Sequence, residues 1–132
     1  MDAPRLLLVE DNPDDVLFLK RAFAAAGLQC TLDVAEDGQE AVEKLAARRP
    51  THVLLDLKLP RRPGLEVLAW LRLQPALAGL PVIILTSSNV KSDADRAREL
   101  GVDAFLVKPI STRELRSIVD LIAQRWGLAA LK

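Results

Sequence analysis

Five short apolar runs alternate with longer stretches whose apolar side chains recur at helical spacing, and no other feature constrains the fold as tightly. Strands separated by helix-length crossovers pair in parallel, and a parallel sheet needs helices over both faces. The first strand is expected from Arg5 to Glu10. A helix follows from about Asp14, buries Val16, Leu19, Phe23 and Ala26, and ends at Gly27. The second strand is read as Cys30 to Ala35. Asp37, with Glu40 three residues on, opens the next helix, which turns Ala41, Val42 and Leu45 inward before Arg48-Arg49-Pro50 closes it. Strand three spans His52 to Asp56, and a helix from about Leu65 carries Val67, Leu68 and Leu71. Pro81 precedes strand four, Val82 to Leu85. Ser92 and Asp95 resemble a capping box for helix four, which Gly101 terminates. Strand five is Ala104 to Val107, and the last helix runs from Thr112 to Arg125 with Leu115, Ile118, Val119, Ile122 and Trp126 on one stripe.

Helix four stands apart. Before Leu100 its interior offers only alanines for burial, and the gain from burial scales with apolar area. It is expected to be the most weakly held helix and a candidate for movement.

The 132 residues suit one domain, with no repeat, linker or low-complexity stretch to divide them. Eighteen basic residues balance eighteen acidic ones, so no global field favours nucleic acid or a membrane surface. The single cysteine, Cys30, lies in an apolar stretch and reads as a small core residue in a reducing compartment. No signal-peptide pattern opens the chain, and no apolar run is long enough to span a bilayer, so a cytoplasmic location is expected.

Polar residues stand where four of the apolar runs end: Glu10-Asp11, Asp56, Thr86-Ser87 and Lys108-Pro109. In an open parallel sheet the carboxyl ends of the strands share one edge, where ligands bind. Three carboxylates, a hydroxyl and an ammonium thus converge, a set suited to a divalent cation and a phosphoryl group with Asp56 as acceptor. Acids in Glu10-Asp11-Asn12-Pro13-Asp14-Asp15 also favour a helix N-terminus; Asp14 and Asp15 are assigned to capping and charging that first turn. Glu10 and Asp11 lie at the strand end itself, where acids repel one another unless a cation neutralises them. An all-oxygen set favours a hard ion, and Mg²⁺ with retained waters suits an open rim.

These residues resemble a bacterial response-regulator receiver domain over essentially the whole chain. The family's acidic pair matches Glu10 and Asp11, its phosphorylated aspartate Asp56, its small hydroxyl residue Thr86, its lysine Lys108 before Pro109, its switch aromatic Phe105, and the glycine opening its third helix Gly64. The resemblance implies a flavodoxin-like, doubly wound five-stranded α/β fold of strand order 2-1-3-4-5. It implies a single receiver domain over residues 1–132, with a core of about 5–126, a short apolar tail at 127–132 and no output domain.

The implied chemistry is phosphoryl transfer from a sensor histidine kinase, or a phosphotransfer protein, to Asp56. Mg²⁺ would be held by Asp11, Asp56, Glu10 and the backbone carbonyl of Lys58. Lys108 and Thr86 would contact the phosphoryl group, and Thr86 with Phe105 would switch the face of helix four, strand five and helix five. Lys58 and Ser88, two residues beyond Asp56 and Thr86, are expected to set the phosphoryl lifetime. The module is expected to catalyse only its own phosphorylation and hydrolysis.

Glu10 to Asp15, the loop Leu59-Pro60-Arg61-Arg62-Pro63-Gly64, Leu85 to Ser88 and Trp126 are similar to stand-alone receivers paired with bacterial phytochrome kinases; Pro63 departs from the aspartate frequent there. Three alternatives fit less well. A small aspartyl-phosphate hydrolase commonly needs a second acid where Lys58 stands. A flavin carrier needs a phosphate loop where acids stand. A pseudo-receiver that only docks partners would lack a chemical position, and none is missing here. Finally, a free tail with Leu128 and Leu131 near Trp126 suggests a symmetric homodimer through the tail and the face of helix four, strand five and helix five, against a tail folded back on its own core.

Overall fold

The computed structural model describes residues 3–129. Five parallel strands, β1 (Arg5–Val9), β2 (Thr31–Ala35), β3 (His52–Leu55), β4 (Val82–Thr86) and β5 (Ala104–Val107), form one sheet in the order β2-β1-β3-β4-β5. Between and after them run α1 (Pro13–Ala25), α2 (Gly38–Ala47), α3 (Gly64–Leu73), α4 (Lys91–Glu99) and α5 (Thr112–Trp126). The expected doubly wound order is therefore present, with Glu10 and Asp56 each one residue beyond its strand.

The period-two alternation of strand side chains sorts the core into two layers. Leu7, Val9, Val53, Leu55 and Ile84 face α2, α3 and α4, where Leu45, Leu68 and Leu71 meet them. Leu6, Leu8, Leu54 and Ile83 face α1 and α5, where Leu19, Phe23, Val119 and Ile122 lie. Each such side chain contributes roughly 1.5–3 kcal/mol on leaving water. Val16 and Ala26 are half-buried at the margin of the second layer.

Local signals explain most helix ends. Asn12, not an aspartate, caps α1: its Oδ1 accepts from the N–H of Asp14 (2.9 Å) and of Asp15 (3.3 Å), while Pro13 starts the helix where no N–H is required. Asp37 accepts from the Glu40 N–H at 2.7 Å, as expected. The capping box expected at Ser92 and Asp95 does not form. The backbone already closes its first turn on the Val90 carbonyl, so Ser92 lies inside α4.

Ala97 is the one buried side chain of α4, whereas α3 buries Gly64, Val67, Leu68 and Leu71. The far end of α4 is tied down differently. Arg72 of α3 donates to the carbonyls of Leu100 (2.7 Å) and Gly101 (3.1 Å), and to those of Ala78 and Leu80 in the loop before β4.

At the amino edge of the sheet, the His52 ring lies 4.6 Å from the Trp126 ring, and Trp126 Nε1–H donates to Asp103 Oδ2 at 2.9 Å. Gly127, at φ 64°, reverses the chain after α5. The expectation of a free tail is corrected at Leu128, which packs buried in the α1–α5 layer, and the Ala129 carbonyl accepts from the Gln29 N–H at 2.9 Å. An apolar side chain gains as much from its own core as from a partner. Leu131 and the rest of the tail lie outside the described residues.

Candidate functional site

The site forms where β1, β3, β4 and β5 end together. Parallel register sets Val9 beside Leu55, and Thr86 beside Val107, so the residues that follow converge on one edge. The Asp56 N–H still bonds the Val9 carbonyl at 3.0 Å, which holds Asp56 beside the acidic pair. Glu10 and Asp56 are 2 % and 4 % exposed, whereas Asp11 is exposed. Each of the three offers an oxygen within 4.8 Å of the others, close enough to share one cation. The donors are all carboxylate oxygens and one side of the set is open, which fits a hard ion that keeps waters.

Lys108 supplies the opposite charge. Its Nζ bonds Asp56 Oδ2 at 2.9 Å, Asp15 Oδ2 at 2.9 Å, and Glu10. Burial opposes the ammonium, yet its hydrogen bonds to Asp56, Glu10 and Asp15 outweigh that cost and hold its pKa above the ordinary lysine value. At Glu10 burial wins instead, and its pKa is pushed up to about 7 despite bonds from Lys108 and the Asn12 N–H. A buried acid that holds a proton this readily is one that a bound cation would displace the proton from.

Thr86 is fully buried at the end of β4, its carbonyl accepting from the Lys108 N–H at 2.7 Å and its Oγ1 from the Ser88 N–H at 3.2 Å. Phe105 on β5 is half-buried against the layer under α4. Lys58 meets Asp56 through its backbone, the N–H donating to Asp56 Oδ1 at 3.2 Å, with its side chain exposed. Ser88 is buried, and its hydroxyl donates to Asp93 Oδ2 of α4 at 2.9 Å.

Two glycines let the loop after β3 close over the site. A Cβ on Gly64 would stand 2.2 Å from the Asp56 carbonyl oxygen, and one on Gly38 would stand 2.0 Å from that of Arg62. Arg61 takes the left-handed conformation at φ 65°, and its Nε pairs with Asp37 Oδ2 at 3.2 Å. The loop thus rests on the first turn of α2. Sequence reading found Gly64 but not Gly38, whose constraint comes from a loop distant in sequence.

Asp15 was also missed as a member of the site. The signal was its place in the first turn of α1, directly over the strand ends. On the α1 side, an open groove of ≈ 240 Å³ begins at Asp15 and Lys108 and is lined further by Phe18, Pro109, Ile110 and Leu115.

An open doubly wound sheet carrying a cation-compatible acid cluster and a half-buried lysine at its carboxyl edge defines the class of protein. The chain belongs to the response regulator receiver domain family, whose model matches residues 6–120, and so to two-component signalling. Among its relatives, the response regulator Rcp1 of Synechocystis sp. is 32 % identical over 128 residues, covering 92 % of this chain and 87 % of that protein. The Mn(2+)-bound form of Rcp1 is similar in structure, with a TM-score of 0.88 at 30 % identity over 98 % of this chain and 99 % of that one. The phosphorylated cyanobacterial phytochrome response regulator RcpA gives 0.89 at 31 % identity, over 98 % of this chain and all of that one (100 %). The bacteriophytochrome response regulator AtBRR is 36 % identical, covers 100 % of this chain and 98 % of its own, and gives 0.78.

Proposed function

We propose that Asp56 accepts a phosphoryl group from a sensor histidine kinase of the phytochrome type, or from a phosphotransfer protein, in a Mg²⁺-dependent reaction. The carrying observation is the bond between Lys108 Nζ and Asp56 Oδ2, made in the same cluster that gathers Glu10 and Asp11. An Asp56 oxygen forms the new O–P bond as the P–N bond to the donor histidine breaks. The electron pair returns to the imidazole nitrogen, which takes a proton from water.

Glu10, Asp11, Asp56 and the Lys58 carbonyl would hold the metal ion, which supplies charge to offset the meeting of two anions. Lys108 moves an N–H from the acceptor oxygen to a phosphoryl oxygen, and the Thr86 hydroxyl donates another. Motion of Thr86 toward the new group makes room for Phe105 to turn inward and alters the face of α4, β5 and α5. Lys58 and Ser88 set the lifetime of the acyl phosphate, so Lys58→Ala and Ser88→Ala change its half-life.

The donor protein docks beside the acceptor, where Phe18 is 42 % and Ile110 95 % exposed along the groove. Output runs through protein contact or phosphorelay, in the cytoplasm. The exposed Val90, Val107 and Leu121 give the α4–β5–α5 face apolar surface for a second copy of the chain, and sedimentation with and without phosphorylation tests that homodimer. Among the described residues no helix is long and apolar enough to cross a membrane.

The test of the whole reading is Asp56→Asn. It should take up no label from a phosphorylated kinase or a small phosphodonor while its circular dichroism stays that of the wild type. Uptake by the Asn variant at the wild-type level would remove Asp56 as acceptor.

A further inference from the structure

One charged side chain of the site has no task in that chemistry. Asp15 lies 2.9 Å from Lys108 Nζ, the same separation as Asp56, and Glu10 accepts from the same ammonium. A lysine has three N–H donors, and here three carboxylates are close enough to take one each. Among the described residues Lys108 is the one cation bonded to the acceptor, and a competitor shares it. The competitor is also the more open of the two: the Asp15 side chain is 35 % exposed against 4 % for Asp56. Asp15 stands at the mouth of the site, and a phosphoryl group approaching Lys108 meets its charge.

Two effects of Asp15 act in one direction. Its carboxylate repels an incoming phosphoryl anion, which already faces Glu10, Asp11 and Asp56. It also holds one of the Lys108 hydrogens that the phosphoryl oxygens need, and these charge-assisted bonds are the strong ones. Capping does not explain its position, because the Asn12 side chain supplies the cap to α1.

We propose that Asp15 is a positioning residue that restrains Lys108 in the resting site and so slows phosphoryl uptake. The proposal rests on Asp56 being the acceptor. Its reach extends to the groove, since Asp15 lines both the site and the surface shared with Phe18 and Ile110. A protein seated there with a cation opposite Asp15 releases Lys108, whereas a small phosphodonor does not.

The experiment compares wild type, Asp15→Asn, Asp15→Glu and Asp56→Asn in label uptake from phosphoramidate with Mg²⁺. Beryllofluoride binding is measured by calorimetry on the same proteins. Asp15→Asn should lower the donor concentration giving half-maximal rate, and tighten beryllofluoride binding, by about three- to tenfold at low salt. Both gains should shrink at high salt, as screening predicts. Asp15→Glu should return both values toward wild type, which a merely structural role of Asp15 does not require. Uptake and binding in Asp15→Asn equal to or weaker than wild type, with wild type labelled at Asp56, overturns the restraint. Equal labelling of wild type and Asp56→Asn overturns the acceptor assignment instead, and the restraint with it.

Discussion

The Ser88 hydroxyl donates to the Asp93 carboxylate at 2.9 Å, and the Ser88 N–H donates to the Thr86 hydroxyl at 3.2 Å. The hydroxyl residue at the end of β4 is thereby connected to the first turn of α4 through one buried serine. Removing the hydroxyl takes this hydrogen bond away from Asp93.

Ser88→Ala should destabilise the fold by about 1 kcal/mol, the usual net worth of a hydrogen bond. The loss should be local. Amide hydrogen exchange should quicken at Asp93 and Ala94 while the β4 amides keep their protection; uniform acceleration would mean that the bond does not serve α4 in particular.

At Gly64 the space for a Cβ is taken by the backbone of Asp56 and Leu57, and at Gly79 it is open. A Cβ at Gly64 must displace the Asp56 carbonyl or the Leu57 Cα, whereas one at Gly79 meets no atom within 4 Å. Gly64→Ala should therefore cost about 1–3 kcal/mol in urea unfolding, and Gly79→Ala within about 0.5 kcal/mol of nothing. Metal affinity should fall with Gly64→Ala as well, because the displaced carbonyl belongs to Asp56.

The order of strands and helices was legible because period-two and helical spacing alternate cleanly, and strand ends pointed to Glu10, Asp11, Asp56, Thr86 and Lys108. What stayed hidden depends on contacts between segments distant in sequence. The requirement at Gly38 is set by Arg62, and the role of Asp15 by Lys108, ninety-three positions along the chain. The start of α4 differs for a local reason: Ser92 and Asp95 satisfy a capping pattern, but the Val90 carbonyl already closes the first turn, so Ser92 lies inside the helix. Leu128 read as a free apolar residue because nothing local says which surface covers it.

His52 gives a pH dependence away from the site. Burial lowers its pKa below the ordinary histidine value, with Arg49 acting in the same direction and Asp103 against it. The unfolded chain therefore binds the proton more readily than the fold does. Stability from neutral His52 is complete above the unfolded value of about 6.5 and is lost as pH falls through the lower folded value. The melting temperature should decline across that window, and His52→Gln should decline less; parallel curves for the two proteins would remove His52 as the cause.

Arg72→Met keeps much of the side-chain length and loses four hydrogen bonds to carbonyls. It should loosen the Leu100–Gly101 turn and the loop before β4 together, read as faster exchange in both segments. A change confined to one of them would show that Arg72 does not join the two.

With Arg72 holding its last turn and one serine hydroxyl its first, α4 is built as a lever with its pivot at Leu100. Nine residues give an arm of about 13 Å, so a tilt of ~10° carries the Val90 end roughly 2 Å while the Leu100 end stays in place. Under the proposed switch, a protein seated on this face would sense an angle, and the side chains best placed to report it are those farthest from the pivot, Val90 and Lys91.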